Sequence, residues 1–166
     1  MYDIYDSENG DQWRYLLGSR GKKPLLVIGL NPSTATREKP DPTVARVQRV
    51  AERNGYDGFV MLNLYPVRAT KFEQLPVDVE PGAYTKNLEA IERVVAATAK
   101  PEIWAAWGQP VTRRRYFVDA RDDLVTRLTS YKPKWLRFGA LTKTGHPRHP
   151  SRLDYQWVFE PYDVEL

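Results

Sequence analysis

The sequence predicts an α/β protein: a three-layer α/β/α sandwich around a mostly parallel, four-stranded central sheet. Short apolar runs without charges, the pattern of strands buried on both faces, alternate with stretches of helical periodicity. Those runs stop abruptly at turn or polar residues, as strands do on leaving a sheet. With 166 residues the chain can bury about two-thirds of its unfolded surface. One domain over residues 1–166 is expected, with a cover at 1–23, a core at 24–153 and an extension at 154–166.

The segment 1–23 carries Tyr2, Tyr5, Trp13 and Tyr15 around Asn9-Gly10, which predicts a small covering hairpin. Leu25-Leu-Val-Ile28 and Leu30 form the first buried strand, broken by Asn31-Pro-Ser-Thr34. A helix then starts at Pro42 with Asp41 as its cap, buries Val44, Val47, Val50 and Ala51, and closes at Asn54-Gly55. Gly58 to Leu64 is the second strand and also ends on an asparagine, Asn63. Residues 66–83 read as a surface loop. A helix is expected from Tyr84 to Ala99, stopped by Lys100-Pro101. Ile103 to Trp107 is the third strand, ending at Gly108, and Pro110 opens the next helix. Trp135 to Phe138 alternates and so predicts a sheet edge. Leu141 to Pro150 is irregular, and Tyr155 to Phe159 forms a short terminal element.

Composition narrows the chemistry. Without cysteine there are no disulfides, thiolate zinc sites, iron–sulfur clusters or thiol nucleophiles. The acidic, aromatic start is unlike a signal peptide, and no apolar run is long enough to span a membrane, so a cytoplasmic protein is expected. Phosphate-cradling glycine loops and a Gly-x-Ser-x-Gly elbow are absent, and no cofactor is expected. The two histidines, His146 and His149, have no carboxylate in their own neighbourhood before Asp154, so no metal is expected.

The net charge of +4 is uneven. From Leu124 to Leu153 there is no Asp or Glu, while seven Lys and Arg and both histidines fall there. Such a segment is either a solvated loop or a positive surface for phosphates. Asparagine disfavours strands, and each of Asn31 and Asn63 could merely cap a turn. The pair together with the histidine loop points to a site at the carboxyl ends of the strands, where open α/β sheets bind ligands.

Four motifs in order resemble the uracil-DNA glycosylase superfamily. Gly29-Leu-Asn-Pro-Ser33 is similar to its first motif in the mismatch-specific form. Met61-Leu-Asn63 resembles the strand end that reads a flipped base. Trp104-Ala-Ala-Trp-Gly108 resembles the strand ending in Trp-Gly, and His149-Pro-Ser-Arg-Leu153 resembles the closing motif. Asn31-Pro-Ser-Thr-Ala35 with Asp41-Pro-Thr43 also resembles an uncharacterised bacterial and phage family bearing both signatures.

The first resemblance implies a glycosylase-like fold and hydrolysis of the N-glycosidic bond of a flipped base. Asn31 and His149 would be catalytic: Asn31 holds the attacking water, and His149 donates to the leaving base, charged or neutral. Gly29, Pro32, Ser33, Asn63, Tyr65 and Ser151 would bind the substrate. Lys143, His146, Arg148 and Arg152 would hold DNA, and Leu153 would wedge into the duplex. Uracil-specific members carry Asp at the position of Asn31 and a bulky aromatic after the proline. Ser33 is small, so a damaged, mismatched or modified base is expected rather than uracil alone. Tyr65, Phe59 and Trp107 are the candidates for stacking on it. The partner would be duplex DNA. The alternatives are an N-glycosidase of free nucleosides or nucleotides, and a non-catalytic nucleic-acid-binding module.

Overall fold

A computed structural model describes residues 1–164. In chain order the elements are β1 (Ile4–Glu8), β2 (Trp13–Ser19), β3 (Pro24–Gly29), α1 (Pro42–Arg53) and β4 (Gly58–Asn63). They continue with α2 (Pro81–Ala96), β5 (Glu102–Ala105), α3 (Arg115–Leu128), β6 (Lys134–Phe138) and β7 (Phe159–Pro161). One sheet holds all the strands in the order β1-β2-β4-β3-β5-β6-β7. The central four are parallel, and the additions on both sides are antiparallel.

The sheet therefore has seven strands rather than four. The hairpin expected as a cover extends the sheet instead, pairing Leu17 with Met61 and Ser19 with Phe59 along the open edge of β4. Its turn is the expected one, since Asn9 and Gly10 both take positive φ. β6 is not the edge that its alternation predicted. β7 pairs against it, Leu136 opposite Pro161, and proline is tolerated on that outer strand because it leaves no ladder donor unmet. Three helix boundaries also differ: α2 begins at Pro81 rather than Tyr84 and ends at Ala96 rather than Ala99, and a 3₁₀ turn over Gln109–Arg113 precedes α3.

The apolar run of β3 divides between two cores. Leu25 and Val27 face α1, with Val44, Val47 and Val50 opposite. Leu26 and Ile28 face α2 and α3, with Leu88, Ile91, Phe117 and Leu124. β3 thus sends its chain over one face to reach β4, and β4 returns over the other face to β5. β3 and β5 are neighbours whose chains leave in opposite directions, and such a reversal is where open α/β sheets bind ligands, outside the carboxyl ends of the strands. Among the described residues no helix is long and apolar enough to cross a membrane.

Candidate functional site at the carboxyl edge of the sheet

The loop after β3 is held from inside the protein. Asp41 caps α1 by accepting the Val44 N–H through Oδ1 at 2.9 Å, and Oδ2 accepts the Ala35 N–H at 3.1 Å. Arg68 clamps the other side of the loop. Its Nη1 donates to the carbonyls of Ser33 (2.6 Å) and Ala35 (2.8 Å), while Nη2 donates to the Tyr5 hydroxyl and the Asp11 carboxylate. Arg14, 1% exposed, reaches the Ala35 carbonyl from β2 at 3.3 Å. Burial, with Arg68 nearby, lowers its pKa to about 10.

Within this frame the orientation of Asn31 is settled by its partners. Nδ2 donates to the carbonyls of Pro32 and Ala69, both at 3.0 Å, so the amino group must face them. That leaves Oδ1 as the free acceptor, the atom required to hold a water.

Asn63 ends β4 at 1% exposure, and neither its Oδ1 nor its Nδ2 has a partner. Its main-chain carbonyl accepts from Asn87 Nδ2 at 2.7 Å, which anchors the strand end to α2. Buried polar atoms are normally paired, and an orphaned amide costs about 1–3 kcal/mol per unmet group. Gly29 lies alongside in register. A Cβ on Gly29 would come within 2.7 Å of Met61 Cε and 3.0 Å of Asn63 Oδ1, so a side chain there would crowd the amide and displace the methionine tip.

His149 approaches the next strand end. Gly108 has φ +76°, a conformation that favours glycine, and a Cβ there would lie 2.8 Å from the Cβ of His149. Nδ1 of His149 accepts the Ser151 N–H at 3.0 Å and lies 2.9 Å from the Ser151 hydroxyl. The neutral ring must then carry its proton on Nε2. Burial lowers its pKa to about 4, against the attraction of Asp41 and with the repulsion of Arg46. At neutral pH His149 is an uncharged Nε2–H donor.

Asn31 follows β3, Asn63 ends β4, and His149, from the loop after β6, packs on Gly108 just beyond β5, so all three lie at the carboxyl edge of neighbouring strands. Pro32 supplies a carbonyl to Asn31, and the Ser33 hydroxyl bonds Thr70. Other expected roles are not met in this arrangement. Tyr65 is fully buried on the α2/α3 side, stacked 4.2 Å from Tyr116, with its hydroxyl accepting the Glu80 N–H. Phe59 packs on Tyr2, and Trp107 packs on Trp135 and Tyr162, so none of the three stacking candidates is free for a base. Ser151 orients His149 rather than facing a substrate. Leu153 is half-buried against the α1-side core rather than projecting as a wedge.

The basic segment also divides. Arg137 pairs with Glu160 at 2.6 Å and Arg127 with Glu92, while Lys132 and Lys134 lie at the opposite, amino edge of the sheet. Arg148 donates to the Ala140 carbonyl and lies over Trp157. Burial, with Arg121 nearby, lowers the pKa of His146. Lys143 and Arg152 remain exposed at the carboxyl edge.

Arg14, Arg68 and Asn87 take their roles from the fold: alternation along Trp13-Arg14-Tyr15-Leu16-Leu17 puts Arg14 opposite the apolar positions, yet it is buried. The long-range partners of Arg68 and Asn87 left no signal in the sequence.

The chemistry open to the site is limited and specific. Both oxygens of Asp41 are engaged by backbone N–H groups, so it is no free base. Among the described residues no group of three or more His, Asp or Glu could hold a metal ion. What remains is an amide oxygen for a water, an amide with donor and acceptor for a planar ligand, and a neutral donor for developing negative charge.

A family model described as "Protein of unknown function (DUF1643)" matches residues 14–151. That span runs from β2 through Ser151 and contains Asn31, Asn63 and His149. No curated protein and no solved structure matches.

Proposed function

This chain belongs to the DUF1643 family, and we propose that it hydrolyses the N-glycosidic bond of a damaged, mismatched or modified base in DNA. The observation that carries this reading is the orphaned amide of Asn63, buried beside Gly29 at the strand reversal. A base edge offers both a donor and an acceptor to such an amide, meeting the hydrogen bonds that the protein leaves unmade. His149 donates Nε2–H to the carbonyl oxygen on which negative charge collects as the base departs. Asn31 holds water through Oδ1 beneath the sugar. What supports the likeness to the uracil-DNA glycosylase superfamily is that three of the resembling motifs fall at the carboxyl ends of β3, β4 and β5, and that His149 of the fourth packs on Gly108.

The test is a panel of duplexes carrying uracil, hypoxanthine, alkylated and enlarged bases, scored for alkali-labile breaks. Product that disappears in Asn31→Ala and His149→Ala supports the reading, and no product across the panel overturns it. The closed state of Asn63 and the absence of a free stacking aromatic favour a second reading, a binding module of the same fold without catalysis. It would bind duplex DNA with a salt-dependent affinity that Asn31→Ala leaves unchanged.

A further inference from the structure

At the opposite, amino edge of the sheet, three parallel strands are each entered through a Lys-Pro step. Lys23-Pro24 leads into β3, Lys100-Pro101 into β5 and Lys132-Pro133 into β6. The strands are neighbours. The pairings Leu26 with Ile103 and Glu102 with Lys134, extended outward, set the three lysines at one level. Strands lie about 5 Å apart, so the row is about 10 Å long.

All three lysines, with Lys134, line one hollow of about 730 Å³, a volume within the range of small-molecule sites. Each is exposed, and among the described residues none has a carboxylate within salt-bridge distance. The one acidic residue lining the hollow, Glu102, accepts the Tyr56 hydroxyl at 3.0 Å.

The backbone is unusual at the same places. Lys100 has φ +48° and Lys132 φ +52°. This left-handed conformation favours glycine, and a following proline favours extended geometry instead. Two lysines thus hold positions that glycine would fill with less strain, and they set like charges on adjacent strands, which repel. α2 and α3 both end near this edge, so a capping role for the lysines deserves its weight. Each helix end supplies only about half a negative charge. Four ammonium groups against Glu102 and those two ends leave the hollow at about +2.

We propose that this hollow is a second site, distinct from the Asn31–Asn63–His149 edge, and that it binds a compact polyanion with two or more linked phosphates. The proposal is independent of the glycosidic reading. The probe is inorganic tripolyphosphate, titrated calorimetrically into the whole protein at low and high salt. Saturable binding is expected, weaker at high salt because the lysines are exposed to screening.

Lys100→Gly/Lys132→Gly should weaken binding by about tenfold or more while raising the melting temperature, since glycine relieves both left-handed turns. Lys100→Arg/Lys132→Arg should keep the binding. Removing equal charge elsewhere, in Lys39→Ala/Lys71→Ala, should leave it unchanged. The proposal is overturned if tripolyphosphate does not bind, if the glycine pair binds as tightly as the parent, or if the remote pair weakens binding equally. A short DNA duplex that binds through Lys100 and Lys132 while tripolyphosphate does not would also overturn it. Asn31→Ala and His149→Ala should leave tripolyphosphate binding untouched, so the two sites can fail separately.

Discussion

The sharpest consequence of the site geometry is a loss of stability on mild acidification that passes through one imidazole. His149 titrates near 4 when folded, against 6.5 for a free histidine, because burial disfavours its charged form. The unfolded chain therefore binds a proton at this position over a pH range in which the folded chain does not. The stabilisation is fully present above 6.5 and is lost as pH falls toward 4. The difference corresponds to about 3 kcal/mol, with a slope of up to about 1.4 kcal/mol per pH unit inside the window. His146 is shifted the same way by burial and Arg121 and adds to the slope. Asp11 and Asp57 are lowered from 3.8, so their contributions fade mainly below the window.

The assay is urea unfolding of the parent and His149→Gln at half-unit steps from pH 7.5 to 4.5. The parent should lose stability steadily below pH 6.5, whereas the variant should lose nearly one proton's worth less. Equal slopes would show that the imidazole is not held neutral, and the Nε2–H donor assigned to it would fall with that result.

In the duplex-cleavage assay, Asn31→Ala and His149→Ala should each lower turnover by about 10²–10³, the usual cost of one positioned group, with unchanged circular dichroism. Asn63→Leu should be neutral or stabilising in thermal melts while abolishing activity, because it removes an amide whose unmet hydrogen bonds cost about 1–3 kcal/mol each. Arg68→Met should destabilise by about 1–3 kcal/mol in denaturant titrations, since it removes the donor to the Ser33 carbonyl and leaves the Ala35 carbonyl only Arg14. Gly108→Ala should destabilise by about 1–3 kcal/mol, combining positive φ with a clash against His149, and should shift the His149 titration followed by NMR.

Three buried strands, a fourth that alternates, the capped start of α1 and the place of Asn63 at the end of its strand were legible in the chain. Each rests on local chemistry: a continuous apolar run needs cover on both faces, proline and aspartate open helices, and a polar residue ending such a run sits at the sheet's edge. What surrounds those elements was not legible. Whether the Asn9-Gly10 hairpin covered the core or extended the sheet depended on the open edge of β4, more than forty residues away. The alternation of β6 looked like an edge because nothing within five residues announces β7. Tyr65, two residues past Asn63, was a candidate for stacking on a base, yet its side chain points to the face that α2 and α3 cover. The acid-free stretch from 124 to 153 reads as one positive surface in sequence, and folding sends its lysines to opposite ends of the molecule. By itself the sequence determined which apolar runs must be covered on both faces, along with the local turns and caps that bound them. Only the tertiary structure decided which polar groups lost their water without gaining partners, as at Asn63, because burial is contributed by segments far away in the chain.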